Sequence, residues 1–222
     1  MLRLYWGVSY GVPWVTTLLF AAFKKLYRRR KYGAPIVVVS GVPRSGTSMM
    51  MKMLDAGGLP LVTDAVREAD EDNPKGYFED ERAKQLDTAQ DRSWLSDCRG
   101  KGLKIISFLL LDLPEENFYK IIFMRRKLEE VIASQNKMLA RRGEPTDDDG
   151  DEKMIQRYTM HLRKVEFMLE ENPNCEAIDV DYRAALEDPR HHAERIRDFL
   201  GVDLDVDRMA SIVDPQLYRN RR

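Results

Sequence analysis

The stretch "IVVVSGVPRSGTSMMMKML", residues 36–54, constrains this chain more than any other. A continuous run of apolar, mostly β-branched residues reads as a strand buried on both faces, as in a parallel sheet. A loop bounded by Gly41 and Gly46 follows, and then an apolar-periodic segment that reads as a helix ending at Gly57–Gly58. A glycine-bounded loop opening a helix directs successive backbone N–H groups into one concavity. The helix dipole adds partial positive charge there, so the expected ligand is a phosphate or a group shaped like one. In an ATP-binding loop of this spacing a lysine follows the second glycine. Here Thr47 stands in that place with Ser48 after it, and Arg44 is the cation inside the loop. Without the lysine, γ-phosphate stabilisation is weakened, which disfavours a kinase or NTPase. Asp112, in "LLLDLP", reads as a turn residue and not as a metal-binding acid.

The rest of the chain alternates in the same way. Strands are expected at "LPLVTD" (59–64), "GLKIISFLL" (102–110), "YKIIFM" (119–124) and "CEAIDV" (175–180). Helices are expected from "ERAKQLD", over 127–143, over 153–172 and in "DPRHHAERIRDFLG". The polar stretch 65–81 reads as a loop. This pattern gives an α/β class with a mostly parallel sheet in a three-layer sandwich. With 222 residues, one such domain is expected over 36–222, after an amino-terminal segment 1–35.

That segment is distinct. Residues 4–23 form twenty residues without a charge, about the length of a membrane-spanning helix. Aromatic residues lie near one end and Lys24 to Lys31 crowd the other. Residues 1–35 hold seven bases and no acid, whereas the whole chain has net charge −1, so the body is acidic. A single membrane anchor with the domain on the cytoplasmic side is expected, and nucleic-acid binding is not. Interfacial placement or packing on a partner in a membrane-protein complex is the alternative.

Cys98 and Cys175 form no framework, and none of His161, His191 and His192 has a metal-ligand spacing. No metal site is expected. His191 and His192 read as exposed residues of a first helical turn. The acidic run "EPTDDDGDE" lacks the spacing of a calcium loop.

"GVPRSGTS" with the following "MLDA" resembles the 5′-phosphosulfate-binding loop of sulfotransferases, and looks closest to tyrosylprotein sulfotransferases and related bacterial proteins. A second match lies at "IIFMRRKLEEVIAS". It resembles the family's 3′-phosphate-binding element, in which an arginine at a strand end precedes a helical serine by eight positions; here these are Arg126 and Ser134. A third, "DYRAALEDPRHHAERIRDFLG", resembles the family's "YEDL…DP…FLG" segment and points to Tyr182 near the adenine. Together the matches run from about residue 36 to 201.

The resemblance implies sulfuryl transfer from 3′-phosphoadenosine 5′-phosphosulfate, without a metal, to an unidentified hydroxyl or amine acceptor. Arg44, Ser45, Gly46, Thr47 and Ser48 would hold the phosphosulfate. Arg126, Ser134 and Tyr182 would hold the rest of the nucleotide. Arg44 would also stabilise transition-state charge, and Asp64 is the first candidate for general base, with Glu68 and Asp70 as alternatives. Lys75 and Tyr77 would lie over the site. Relatives often place a lysine at the end of the next strand, beside the leaving group. This sequence offers Lys101 and Lys104, with Ser107 nearer the expected place. That departure leaves a second class open, a non-catalytic subunit of the same fold anchored in a membrane assembly.

Overall fold

The computed structural model describes residues 26–64, 78–145 and 150–213. The apolar segment 4–23, Glu68, Asp70, Lys75, Tyr77 and the carboxyl-terminal arginines lie outside them. Among the described residues no helix is long and apolar enough to cross a membrane.

Four strands form one parallel sheet: β1 (Ile36–Ser40), β2 (Gly102–Lys104), β3 (Tyr119–Arg125) and β4 (Cys175–Asp181), in the order β2-β1-β3-β4. Every residue of β1 is buried, as its unbroken apolar run requires. Its side chains alternate between two cores. Val37 and Val39 pack beneath α2 (Thr47–Ala56), α6 (Tyr182–Glu187), α7 (Pro189–Leu200) and α8 (Val206–Ser211). Ile36 and Val38 pack on the opposite side with Leu95, Leu109 and Leu110, and with Val165 of α5 (Gly150–Glu171). A third cluster joins Val42 of the loop to Val131 and Ile132 of α4 (Leu128–Arg142) and to Tyr158 of α5. A segment at 26–32, α1, precedes the sheet.

The chain leaves β1 for α2 on one face, and leaves β3 for α4 and α5 on the other. Adjacent strands whose connections diverge open a crevice at their carboxyl ends, where open α/β sheets bind ligands. The loop after β1 lies at that crevice.

Three expected elements are shorter than the sequence pattern suggested. "LPLVTD" contributes one bridge, Leu61 to Gly102. The Gly102 N–H donates to the Pro60 carbonyl and its carbonyl accepts from the Val62 N–H, both at 2.8 Å. Pro60 has no N–H to extend the ladder, and the Asp64 N–H turns to the Glu79 carbonyl. "GLKIISFLL" is strand only to Lys104 and becomes a 3-10 helix over Ser107–Asp112. Its partner β1 ends at Ser40. The Ser107 N–H donates instead to the carbonyl of Gly41, the first loop residue, at 3.0 Å. "ERAKQLD" gives a single turn, α3 (Glu81–Lys84), capped by the Asp80 carboxylate.

His192 is a further correction. It lies on the inner side of α7 and is buried, while its neighbour His191 is exposed. Asp188 caps that helix through the His191 N–H, with Pro189 in the first turn. This fixes the helical phase and turns His192 inward. Burial, and then the charges of Arg195 and His191, hold its pKa below the ordinary value. Burial and Lys164 do the same for His161. An unfolded histidine titrates near pH ~6.5. Stability from these neutral histidines is therefore complete above that pH, and is lost as pH falls from there toward their lowered native values. His192→Gln should flatten the fall in melting temperature between about pH 7 and 5; an unaltered slope would contradict this assignment.

Candidate functional site

Both loop glycines are required by geometry. A Cβ on Gly41 (φ +150°) would lie 2.4 Å from the Ser45 Oγ and 2.8 Å from the Met124 carbonyl oxygen. One on Gly46 (φ +104°) would lie 2.4 Å from Cδ2 of the Tyr182 ring. Between them the Ser45 N–H donates to the Val42 carbonyl and closes a turn. Arg44 is left-handed at φ 70°, a conformation that costs a non-glycine residue roughly 1–3 kcal/mol and persists only when its surroundings enforce it. Here two contacts do so. The Arg44 carbonyl accepts from Nη1 of Arg126 at 3.1 Å, and the Arg44 Nε donates to the Ser134 hydroxyl at 3.2 Å.

Gly46 is the N-cap of α2, and no side chain caps it. The first N–H groups of a helix have no intrahelical acceptor, so this end presents the amides of Thr47 and Ser48 with the dipole behind them. The hydroxyl of Ser45 is fully buried and makes no hydrogen bond among the described residues. Thr47 is buried too. An anion-binding loop accounts for both the uncapped helix and the orphaned hydroxyl.

Two cationic poles flank this helix end. At one, Arg126 and Ser134 meet through Arg44. The Arg126 side chain is 8% exposed and its Nε donates to Oε2 of Glu130, itself 3% exposed, at 3.0 Å. Its guanidinium lies over the Tyr182 ring, 4.7 Å from the centroid. Tyr182 is thus a buried wall between Arg126 and Gly46. Burial raises its phenol pKa against the pull of Arg126 and Arg44.

At the other pole stands Lys104, at the carboxyl end of β2 and 9% exposed. Its ammonium donates to the Ser48 hydroxyl at 3.3 Å and to Oε1 of Glu79 at 3.0 Å. Burial opposes ionisation of Glu79, but Lys104 and Lys84 outweigh it and hold the carboxyl below its usual range. Of Lys101, Lys104 and Ser107, Lys104 is the one whose side chain reaches the N-terminus of α2. Strand alternation decides it: Ile105 enters the opposite core, so Lys104 faces the α2 side. Ser107 is buried away from this pole and bonds Nε2 of His161 at 2.8 Å.

Asp64 is tied to this pole through the Glu79 carbonyl and is exposed. Its Oδ2 accepts the Glu81 N–H at 2.6 Å and its own N–H joins Glu79. Glu79 and Glu130 were not singled out from the sequence. Glu130 follows Arg126 by four residues, in the first turn of the helix that opens after it, a proximity that could have revealed the pair. Glu79 reaches the site through tertiary contacts that carry no local signal.

A model of the sulfotransferase family matches residues 106–206. That range contains Arg126, Ser134 and Tyr182 and excludes the loop, so the loop geometry and the family match are separate observations. Among solved structures, the "Sulfotransferase Domain from the Curacin Biosynthetic Pathway" is similar at 12% identity and a TM-score of 0.46, covering 82% of this chain and 78% of that one. No curated protein matches the chain.

Gly46→Ala tests the loop. Gly143, also left-handed (φ +67°), has open space around it. Gly143→Ala should lose only the conformational term of roughly 1–2 kcal/mol, and Gly46→Ala should lose clearly more in denaturant unfolding because the methyl displaces Tyr182. Equal losses would contradict the clash.

Proposed function

We propose that this chain is a sulfotransferase that transfers a sulfuryl group from 3′-phosphoadenosine 5′-phosphosulfate to an acceptor hydroxyl or amine, a reading that the family match over residues 106–206 supports. The observation that carries this is the pair of cationic poles on either side of one uncapped helix N-terminus. One pole holds Arg44, Arg126 and Ser134; the other holds Lys104 with Ser48. A donor with separate 3′-phosphate and 5′-phosphosulfate groups has the matching charge distribution. In an ATP loop the hydroxyl at Ser48 would serve magnesium, and here it accepts from an ammonium instead.

When bound, the donor supplies an activated sulfuryl group on a phosphate leaving group. The amides of Gly46 to Ser48, with the Thr47 and Ser48 hydroxyls, hold the phosphosulfate. Arg44 and Ser134 hold the 3′-phosphate, with Arg126 and Tyr182 behind them. Lys104 places positive charge where the leaving oxygen gains negative charge, and needs no reorganisation to do so. Glu79 positions Lys104. Engaged by two lysines and with a lowered pKa, Glu79 is a poor proton acceptor. Asp64, exposed and with one oxygen taken by the Glu81 N–H, is the general base in this reading.

Thermal stabilisation separates this reading from others. Adenosine 3′,5′-bisphosphate in EDTA should raise the melting temperature, and Arg44→Ala should abolish the rise. Stabilisation by ATP with magnesium alone would overturn the proposal, and no response to either would favour a non-catalytic subunit. Asp64→Asn should lower kcat by about 10²-fold or more with bisphosphate binding intact; unchanged turnover would remove Asp64 from the reaction.

We further propose that residues 4–23 anchor the protein in a membrane, with the domain on the cytoplasmic side. The support is charge and direction. Arg29, Arg30 and Lys31 of α1 are exposed. Arg28 pairs with Glu176 and stacks on Phe118, and the Tyr32 hydroxyl bonds Asn174 at 2.7 Å. These partners lie at the amino-terminal ends of β3 and β4, opposite the loop, so the loop would face away from the bilayer. The full-length protein should resist carbonate extraction from membranes; release into the supernatant would contradict the anchor.

A further inference from the structure

We propose that Glu130 is a positioning residue for the anion-binding loop, acting through Arg126. The contacts form one chain. Glu130, in the first turn of α4 and 2% exposed, receives the Arg126 Nε at 3.0 Å. This fixes the guanidinium plane, which then meets the loop at two points. Its Nη1 donates to the Arg44 carbonyl at 3.1 Å. Its face covers Tyr182, whose ring occupies the space that a Cβ on Gly46 would need. The two points lie on either side of Ser45. They hold the left-handed peptide of Arg44 and the left-handed N-cap Gly46, the two conformations that shape the loop.

Loss of the Glu130 charge would leave a buried guanidinium without its carboxylate, and that group would be drawn away from the Arg44 carbonyl toward another anion or water. Arg44 would then be released from φ 70°, and its Nε from Ser134. Glu130 thereby acts on the ligand without touching it. It also divides the work of the two arginines: Arg126 braces the loop, and Arg44 is the cation that the brace aims at Ser134.

The ligand half of this inference rests on the proposed donor, whereas the loop half does not. Hydrogen exchange of the full-length protein reads the loop directly. In Glu130→Gln, amides of 42–48 should exchange at least tenfold faster, while those of α7 are unchanged. The Kd for adenosine 3′,5′-bisphosphate should rise at least tenfold. In an Arg126→Ala background the same change should shift Kd less than twofold, because its route to the loop is already cut. Glu130→Asp keeps the charge and should restore part of the protection; it also serves if the Gln variant does not fold. Unchanged loop exchange, or losses that multiply in the double variant, would overturn the proposal. Failure of the wild-type protein to bind the bisphosphate would instead remove the donor assignment and leave the exchange result to decide the role of Glu130.

Discussion

Arg126 sits at the end of β3 with its charge almost out of water, and the site is arranged around the neutralisation of that charge. Burying a guanidinium is tolerated only when a partner and hydrogen bonds replace its hydration. Glu130 supplies the partner, the Arg44 carbonyl supplies an acceptor, and the Tyr182 ring covers the face. Removing one member of such a buried pair typically costs about 3–5 kcal/mol. The arrangement therefore stores much of the local stability in contacts that also set the loop. Gly46 can adopt its conformation because Tyr182 fills the space beside it, and Arg44 can because its carbonyl is held.

The second pole is built by different means. Lys104 reaches Ser48 because β2 is short and pairs with β1 at the register Val39 to Lys104. Glu79 and Lys84 then complete a charge cluster at the sheet's carboxyl edge. One pole is thus fixed by a helix–strand junction and the other by the end of a strand. The helix dipole of α2 lies between them. A ligand with two separated anionic groups satisfies both, which is why the donor reading follows from the placement of charge and not from the loop alone.

Much of this was legible in the sequence because it is local. The "IVVVS" run, the glycine-bounded loop, the eight-residue step from Arg126 to Ser134 and the Asp188–Pro189 helix start each depend on neighbours along the chain. What was not legible depends on where another element stops. Nothing within "GLKIISFLL" says that β1 ends at Ser40, yet that decides that β2 ends at Lys104 and that the Lys104 ammonium reaches Ser48. Arg126 and Ser134 were expected to grip a phosphate together. They are in fact joined by Arg44, whose left-handed conformation no propensity would suggest. His192 looked exposed because its helical phase is set by a cap four residues earlier, and Glu79 was hidden in a polar stretch that reads as loop.

The central claim is that one uncapped helix end with two cationic poles holds a doubly anionic nucleotide. A crystal structure with adenosine 3′,5′-bisphosphate, grown without divalent metal, tests it most directly. The account predicts the 5′-phosphate on the amides of Gly46 to Ser48 within reach of Lys104, and the 3′-phosphate at Arg44 and Ser134. A nucleotide bound elsewhere, or with its two phosphates exchanged between the poles, would contradict it.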